Sequence, residues 1–113
     1  MDRERKNMTI QTPKKVKVIE LEHLPMQIGQ EINIEGKSIA LFRLSNGDVR
    51  AVSNVCPHKN GPLAEGVVSG EYVFCALHNW KISLVTGEVQ KPDDGCVQTY
   101  ETEVKDGYVY ITV

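Results

Sequence analysis

The chain has 113 residues, 41% hydrophobic and 25% charged, with a formal net charge of −2, the composition of one ordinary soluble globular domain. Lys and Arg gather only at "DRERK" and "PKKVK" near the N-terminus, so nucleic-acid binding has no electrostatic support. No apolar run approaches the roughly 20 residues that cross a bilayer, and no apolar stretch follows the charged N-terminus, so neither a membrane partner nor a secretory signal is expected.

The chain is therefore expected in the cytoplasm, where thiols stay reduced and cysteines serve as ligands more often than as disulfides. The three cysteines are an odd number, which also argues against a disulfide framework.

Residues 1–14 are polar, include Pro13 and are expected to form a mobile tail ahead of one domain at 15–113. "VKVIEL" (16–21) alternates as a strand, and "LEHLP" (21–25) offers a single helical turn cut off by Pro25. "QEINIEGKSIALFRL" (30–44) reads as two strands around a tight turn at Glu35-Gly36-Lys37. In "SNGDVRAVSN" the pair Asn46-Gly47 is a strong two-residue hairpin signal leading into a strand at 49–53. "EYVFC" (71–75), "WKISLV" (80–85), "VQTYETEV" (97–104) and "YVYITV" (108–113) are further strands, with turns at Thr86-Gly87 and Asp106-Gly107. No longer window repeats at the helical period, and short strands with frequent turns predict an all-β sandwich or barrel.

Two loops carry the chemistry. Cys56-Pro57-His58 follows the strand at 49–53, and Cys75-Ala76-Leu77-His78 begins where the strand at 71–75 ends. Any one of these residues alone reads as a packed thiol or a solvated imidazole, but two matched Cys/His pairs at strand ends read as a metal site. Two thiolates and two imidazoles suit a structural zinc. Zinc knuckles, however, usually pair like with like in domains without a core of their own. A mixed pair on each loop suits two irons better, since in one class of [2Fe-2S] cluster two histidines hold one iron and two cysteines the other.

These spacings, C-x-H and C-x2-H with sixteen residues between them, resemble the two boxes of Rieske proteins, and the resemblance runs from about residue 16 to 113. It implies an antiparallel β-sandwich with a small cluster-binding subdomain made of two loops. It also implies Cys56 and Cys75 on a buried iron, His58 and His78 on an outer iron, and Pro92 of "KPDDG" (91–95) in a third loop that covers the cluster. Ala76 stands where the family usually has proline. Gly61 and Leu77 occupy the places of the extra cysteines of the bc-complex members, so no bridge between the loops is expected. Trp80 and Ile82 replace hydroxyl residues of those high-potential members, which implies a potential toward the low end of roughly −150 to +300 mV. Imidazole ligation implies a potential that falls at alkaline pH.

Lys59, Gly61-Pro62-Leu63, Glu65-Gly66, Asn79-Trp80-Lys81-Ile82, Thr86-Gly87-Glu88 and Gly95-Cys96 resemble the small subunits of bacterial assimilatory NAD(P)H-dependent nitrite reductases. That resemblance implies a large-subunit partner with FAD, a 4Fe-4S cluster and sirohaem, which reduces nitrite to ammonia. This chain would relay electrons or complete the complex, and would not be catalytic alone. The alternative it leaves open is a stand-alone Rieske ferredoxin serving an aromatic-ring oxygenase; a zinc-stabilised binding module is the third. Among the other residues, Cys96 is expected as a packed thiol and His23 as a solvated side chain. Lys59 and Lys81 are expected to be surface lysines able to steer an acidic partner. Trp80 fits either core packing or a shield over the site.

Overall fold

The computed structural model describes residues 13–57, 61–76 and 79–113. Ten strands appear among them: β1 (Lys15–Glu20), β2 (Gln30–Ile34), β3 (Lys37–Arg43), β4 (Val49–Ser53), β5 (Val67–Ser69), β6 (Tyr72–Phe74), β7 (Lys81–Ser83), β8 (Thr99–Tyr100), β9 (Thr102–Lys105) and β10 (Tyr108–Thr112). Two 3-10 turns, Leu21–His23 and Leu63–Glu65, are the described helical segments. The strands form three antiparallel sheets, ordered β9-β10-β1, β2-β3-β4-β8 and β5-β6-β7.

The central sheet explains why the chain needs three. Residues 39–42 of β3 are all fully buried, so this strand has no wet face. Ile39 and Leu41 point into a core with Leu24, Val49, Ala51, Val109 and Ile111, under the sheet built from β10. Ala40 and Phe42 alternate to the other side and join Val52, Leu63, Val73, Ile82 and Leu84, under the small sheet. The apolar run "IALF" therefore reads as a doubly covered strand. Both Cys56 and Cys75 belong to the second of these cores.

The expected turn at 21–25 appears as Leu21–His23, and the hairpin between β2 and β3 turns through Glu35 and Gly36, both at positive φ. The second hairpin differs from the two-residue expectation. Leu44 N–H donates to the Asp48 carbonyl and Gly47 N–H to that of Leu44, so the loop spans residues 45–47 and Gly47 takes the positive φ there. Asn46 instead uses its side chain, accepting from Asp48 N–H at 2.9 Å.

"VQTYETEV" is not one strand. The chain leaves the central sheet after Tyr100 and joins the outer sheet at Thr102, so the segment serves two sheets with Glu101 between them. β5 and the turn at Leu63–Glu65 were not anticipated. β5 is three residues long, and Val67 is 68% exposed, so no apolar period marks it. At the other end, Lys14 and Val113 exchange backbone hydrogen bonds, which extends the outer sheet to Lys14. Residues 1–12 lie outside the described residues.

Candidate metal centre

The first loop leaves the end of β4 and returns into the turn at Leu63–Glu65. Cys56 is fully buried, and its N–H donates to the Gly61 carbonyl at 2.7 Å. The second loop is the tip of the β6–β7 hairpin, one step beyond the Phe74–Lys81 pair. Cys75 is 1% exposed, and its N–H donates to the Trp80 carbonyl at 2.9 Å. Each cysteine thus closes its own loop with the same bond, to the carbonyl five residues on. Asn79 adds a further bond, from its N–H to the Cys75 carbonyl, and takes a left-handed φ of 57° to make it. Both cysteines lie on the core side of their loops, whereas Pro57 and Ala76, the residues that follow them, are exposed.

A third loop gathers against these two. Val89 N–H donates to the Gly95 carbonyl, closing residues 89–95, and Gln90 N–H donates to the Lys81 carbonyl just past the second loop. Gly95, at φ 134°, lies beside the first loop: a Cβ on it would make ordinary contact with Pro57, 3.6 Å from both its Cβ and its Cγ. The expected third loop, with Pro92 at its tip, therefore touches both cysteine-bearing segments.

The structure brings Cys56 and Cys75 into one apolar core, with Leu63, Val73, Ile82, Val89 and Val97 among its members. Trp80 is partly buried and packs against that same core. His58, His78, Lys59 and Leu77 lie outside the described residues. Lys81 is exposed and lies over the Tyr72 ring, its Nζ 4.4 Å from the centroid. His23 is exposed, as expected, with Nδ1 4.0 Å from Glu20.

Cys96 corrects an expectation: it is exposed, not packed. An isolated bridge pairs Cys96 with Glu88, and the next residue, Val97, takes the inward position, 9% exposed. Extended chain sends neighbours to opposite faces, so burying Val97 turns Cys96 outward.

The two buried thiols suit an iron–sulfur cluster. Thiolate is the soft ligand such clusters use, and a thiolate in an apolar core needs a cation to offset its desolvation. Cys96, in solvent, lacks that enclosure.

Sequence reading missed Asn54 and Ser38. Asn54 is only 7% exposed; its Oδ1 accepts from Ala64 N–H at 2.7 Å and its Nδ2 donates to Ser38 Oγ at 3.2 Å. The available signal was a single amide in the largely apolar run "AVSNVC".

Residues 14–101 match the family model of the Rieske [2Fe-2S] domain. The chain is 39% identical over 77 residues to the 3-phenylpropionate/cinnamic acid dioxygenase ferredoxin subunit of Photorhabdus laumondii, across 66% of this chain and 72% of that one. Among solved structures it is similar to a protein provisionally designated a nitrite reductase NADPH (small subunit) oxidoreductase, with TM-score 0.77, 30% identity, and 87% and 97% of the two chains covered. It is also similar to the ferredoxin of carbazole 1,9a-dioxygenase from Nocardioides aromaticivorans, with TM-score 0.80, 25% identity and coverage of 86% and 95%. The chain spans only 15% to 22% of the length of three other curated relatives it matches, a 4beta-methylsterol monooxygenase and two 3-ketosteroid-9-alpha-monooxygenase oxygenase components.

Proposed function

Because this chain belongs to the Rieske [2Fe-2S] family and is an iron–sulfur electron-transfer protein, we propose that it is the small subunit of an assimilatory NAD(P)H-dependent nitrite reductase. In that reading a large subunit carrying FAD, a 4Fe-4S cluster and sirohaem reduces nitrite to ammonia, and this chain relays electrons or completes the complex in the cytoplasm. The observation that carries it is the end-to-end similarity, at 30% identity and across 97% of its length, to the protein designated a nitrite reductase small subunit.

Cys56 and Cys75 would hold one iron from the apolar side, and His58 and His78 the other. The bound cluster supplies a one-electron couple. The chain's own residues do the rest. The core around Cys56 and Cys75 keeps water from the sulfurs. The backbone bonds at Cys56 and Cys75 fix each loop's width. The 89–95 loop is tied to Lys81 by Gln90 and lies beside Pro57 at Gly95, where it would help shield the site. Among the described residues no helix is long and apolar enough to cross a membrane.

A second reading has its own support: the 39% identity to a dioxygenase ferredoxin subunit favours a stand-alone carrier that feeds an aromatic-ring oxygenase. Co-purification separates them. The tagged chain should retain a large flavin- and sirohaem-containing protein from its host, and its deletion should remove growth on nitrite. Retention of an oxygenase, with growth on nitrite intact, would replace the first reading with the second.

A further inference from the structure

We propose that Asn54 is a positioning residue whose amide fastens the segment before Cys56 to the turn at Leu63–Glu65, and that a hydrogen-bond chain from Glu31 through Ser38 orients that amide. The inference rests on the assignment of Cys56 and His58 as cluster ligands.

The chain runs in one direction. Ser38 Oγ–H donates to Glu31 Oε2 at 2.8 Å, so the Ser38 oxygen is left to accept, and Asn54 Nδ2 donates to it at 3.2 Å. That fixes which end of the Asn54 amide points inward: Oδ1 faces Ala64 and accepts its N–H at 2.7 Å. Each donor polarises the next, and the order of donors and acceptors allows no flip of the amide without breaking two bonds.

Ala64 lies in the 3-10 turn at Leu63–Glu65, where the first N–H groups have no partner within the turn. Glu65 and Gly66 find carbonyls at Pro62 and Leu63, whereas Ala64 finds Asn54. A single side chain thus ties the residue two before Cys56 to the turn through which the loop returns. Asn54 N–H also donates to the Ser38 carbonyl at 3.0 Å, so backbone and side chain anchor it to the same strand. The second loop sits on the hairpin ladder of β6 and β7, but the first connects two different sheets and needs a fastening of its own.

The test uses the full chain, purified anaerobically with its iron, as wild type, Asn54→Ala, Asn54→Asp, Ser38→Ala and Cys56→Ser. Amide exchange at Ala64, release of iron to a chelator and the reduction potential are followed. Asn54→Ala should speed Ala64 exchange roughly tenfold, about one hydrogen bond's worth, release iron faster and shift the potential, with the amides of β9 and β10 unchanged. Asn54→Asp keeps the acceptor at Oδ1 and should restore slow exchange at Ala64, the Ser38 hydroxyl turning to donate to it. Ser38→Ala should fall between wild type and Asn54→Ala, and carries the test if Asn54→Ala does not fold. Unchanged Ala64 exchange in Asn54→Ala or Ser38→Ala overturns the clasp, as does exchange that quickens equally throughout the core. Cys56→Ser reads the ligand assignment separately: iron retained there defeats that assignment, while Ala64 exchange still judges the clasp.

Discussion

The carbonyl oxygen of Phe74 lies 2.5 Å from where a Cβ on Gly66 would stand. Val73 Cγ2 is 2.8 Å from the same point, so the space is closed by backbone on one side and by a fully buried side chain on the other. Gly66 itself has φ −77°, which any residue adopts, so its role is close approach and not an unusual backbone. Gly66→Ala must push β5 away from β6 at the step before Cys75. The expected cost is about 1–3 kcal/mol of stability, at the upper end because the neighbours are rigid. Denaturant unfolding of the variant measures it, and an unchanged midpoint would contradict the packing described.

Gly47 and Gly87 both have positive φ, 95° and 81°, but differ in surroundings. A Cβ on Gly47 meets nothing within 4 Å, whereas one on Gly87 would stand 2.3 Å from the Val97 carbonyl oxygen. Gly47→Ala should cost only the left-handed backbone, about 1–2 kcal/mol. Gly87→Ala adds a backbone clash and should cost clearly more, and it should loosen the segment that leads into the 89–95 loop. Thermal unfolding of the two variants side by side checks the ranking; equal losses would mean that the contact at Val97 relaxes freely.

Burial sorts the three cysteines. Cys56 and Cys75 are enclosed by one apolar core, and Cys96 faces solvent. Cys56→Ser and Cys75→Ser should each remove nearly all iron and acid-labile sulfide from anaerobically purified protein, because a hydroxyl is a poor replacement for thiolate. His58→Ala and His78→Ala should do the same. Cys96→Ser should leave iron, sulfide and the visible spectrum as in the wild type. Metal analysis decides; zinc without sulfide in the wild type would defeat the cluster reading altogether.

The parts legible in the sequence are those where one residue type has one physical use. "QEINIEGKSIALFRL" read as two strands around a turn, which appear as β2 and β3, and the Cys/His spacing singled out both loops. Legibility failed where the decision is made by a distant partner. Asn46-Gly47 spells a two-residue turn, yet the Leu44–Asp48 pairing makes a longer loop and only Gly47 uses its freedom. "VQTYETEV" keeps one alternation through Glu101 while its hydrogen bonds change sheets. Asn79 takes a φ of 57°, which asparagine tolerates, and nothing in its immediate sequence announces that turn.

Lys15 on β1 and Glu103 on β9 form an exposed ion pair across the outer sheet, bridging the two strands that flank β10. The hydrogen bond and the charge of Lys15 lower the Glu103 pKa, and those of Glu103 raise the Lys15 pKa. The signs fix two windows. A carboxylate with a lowered pKa contributes stability above its unfolded value and loses it as pH falls through the folded one. A lysine with a raised pKa contributes below its unfolded value and loses it as pH rises through the folded one. The pair is therefore fully present from mildly acidic to mildly alkaline pH and fades at both extremes. Both groups are solvated and screened, so the contribution should be small and should shrink as salt is added. Glu103→Gln should accordingly leave the unfolding midpoint nearly unchanged in high salt, lower it slightly at neutral pH in low salt, and have no effect below the carboxylate range. A large loss that persists in high salt would mean that Glu103 holds β9 by something other than its charge.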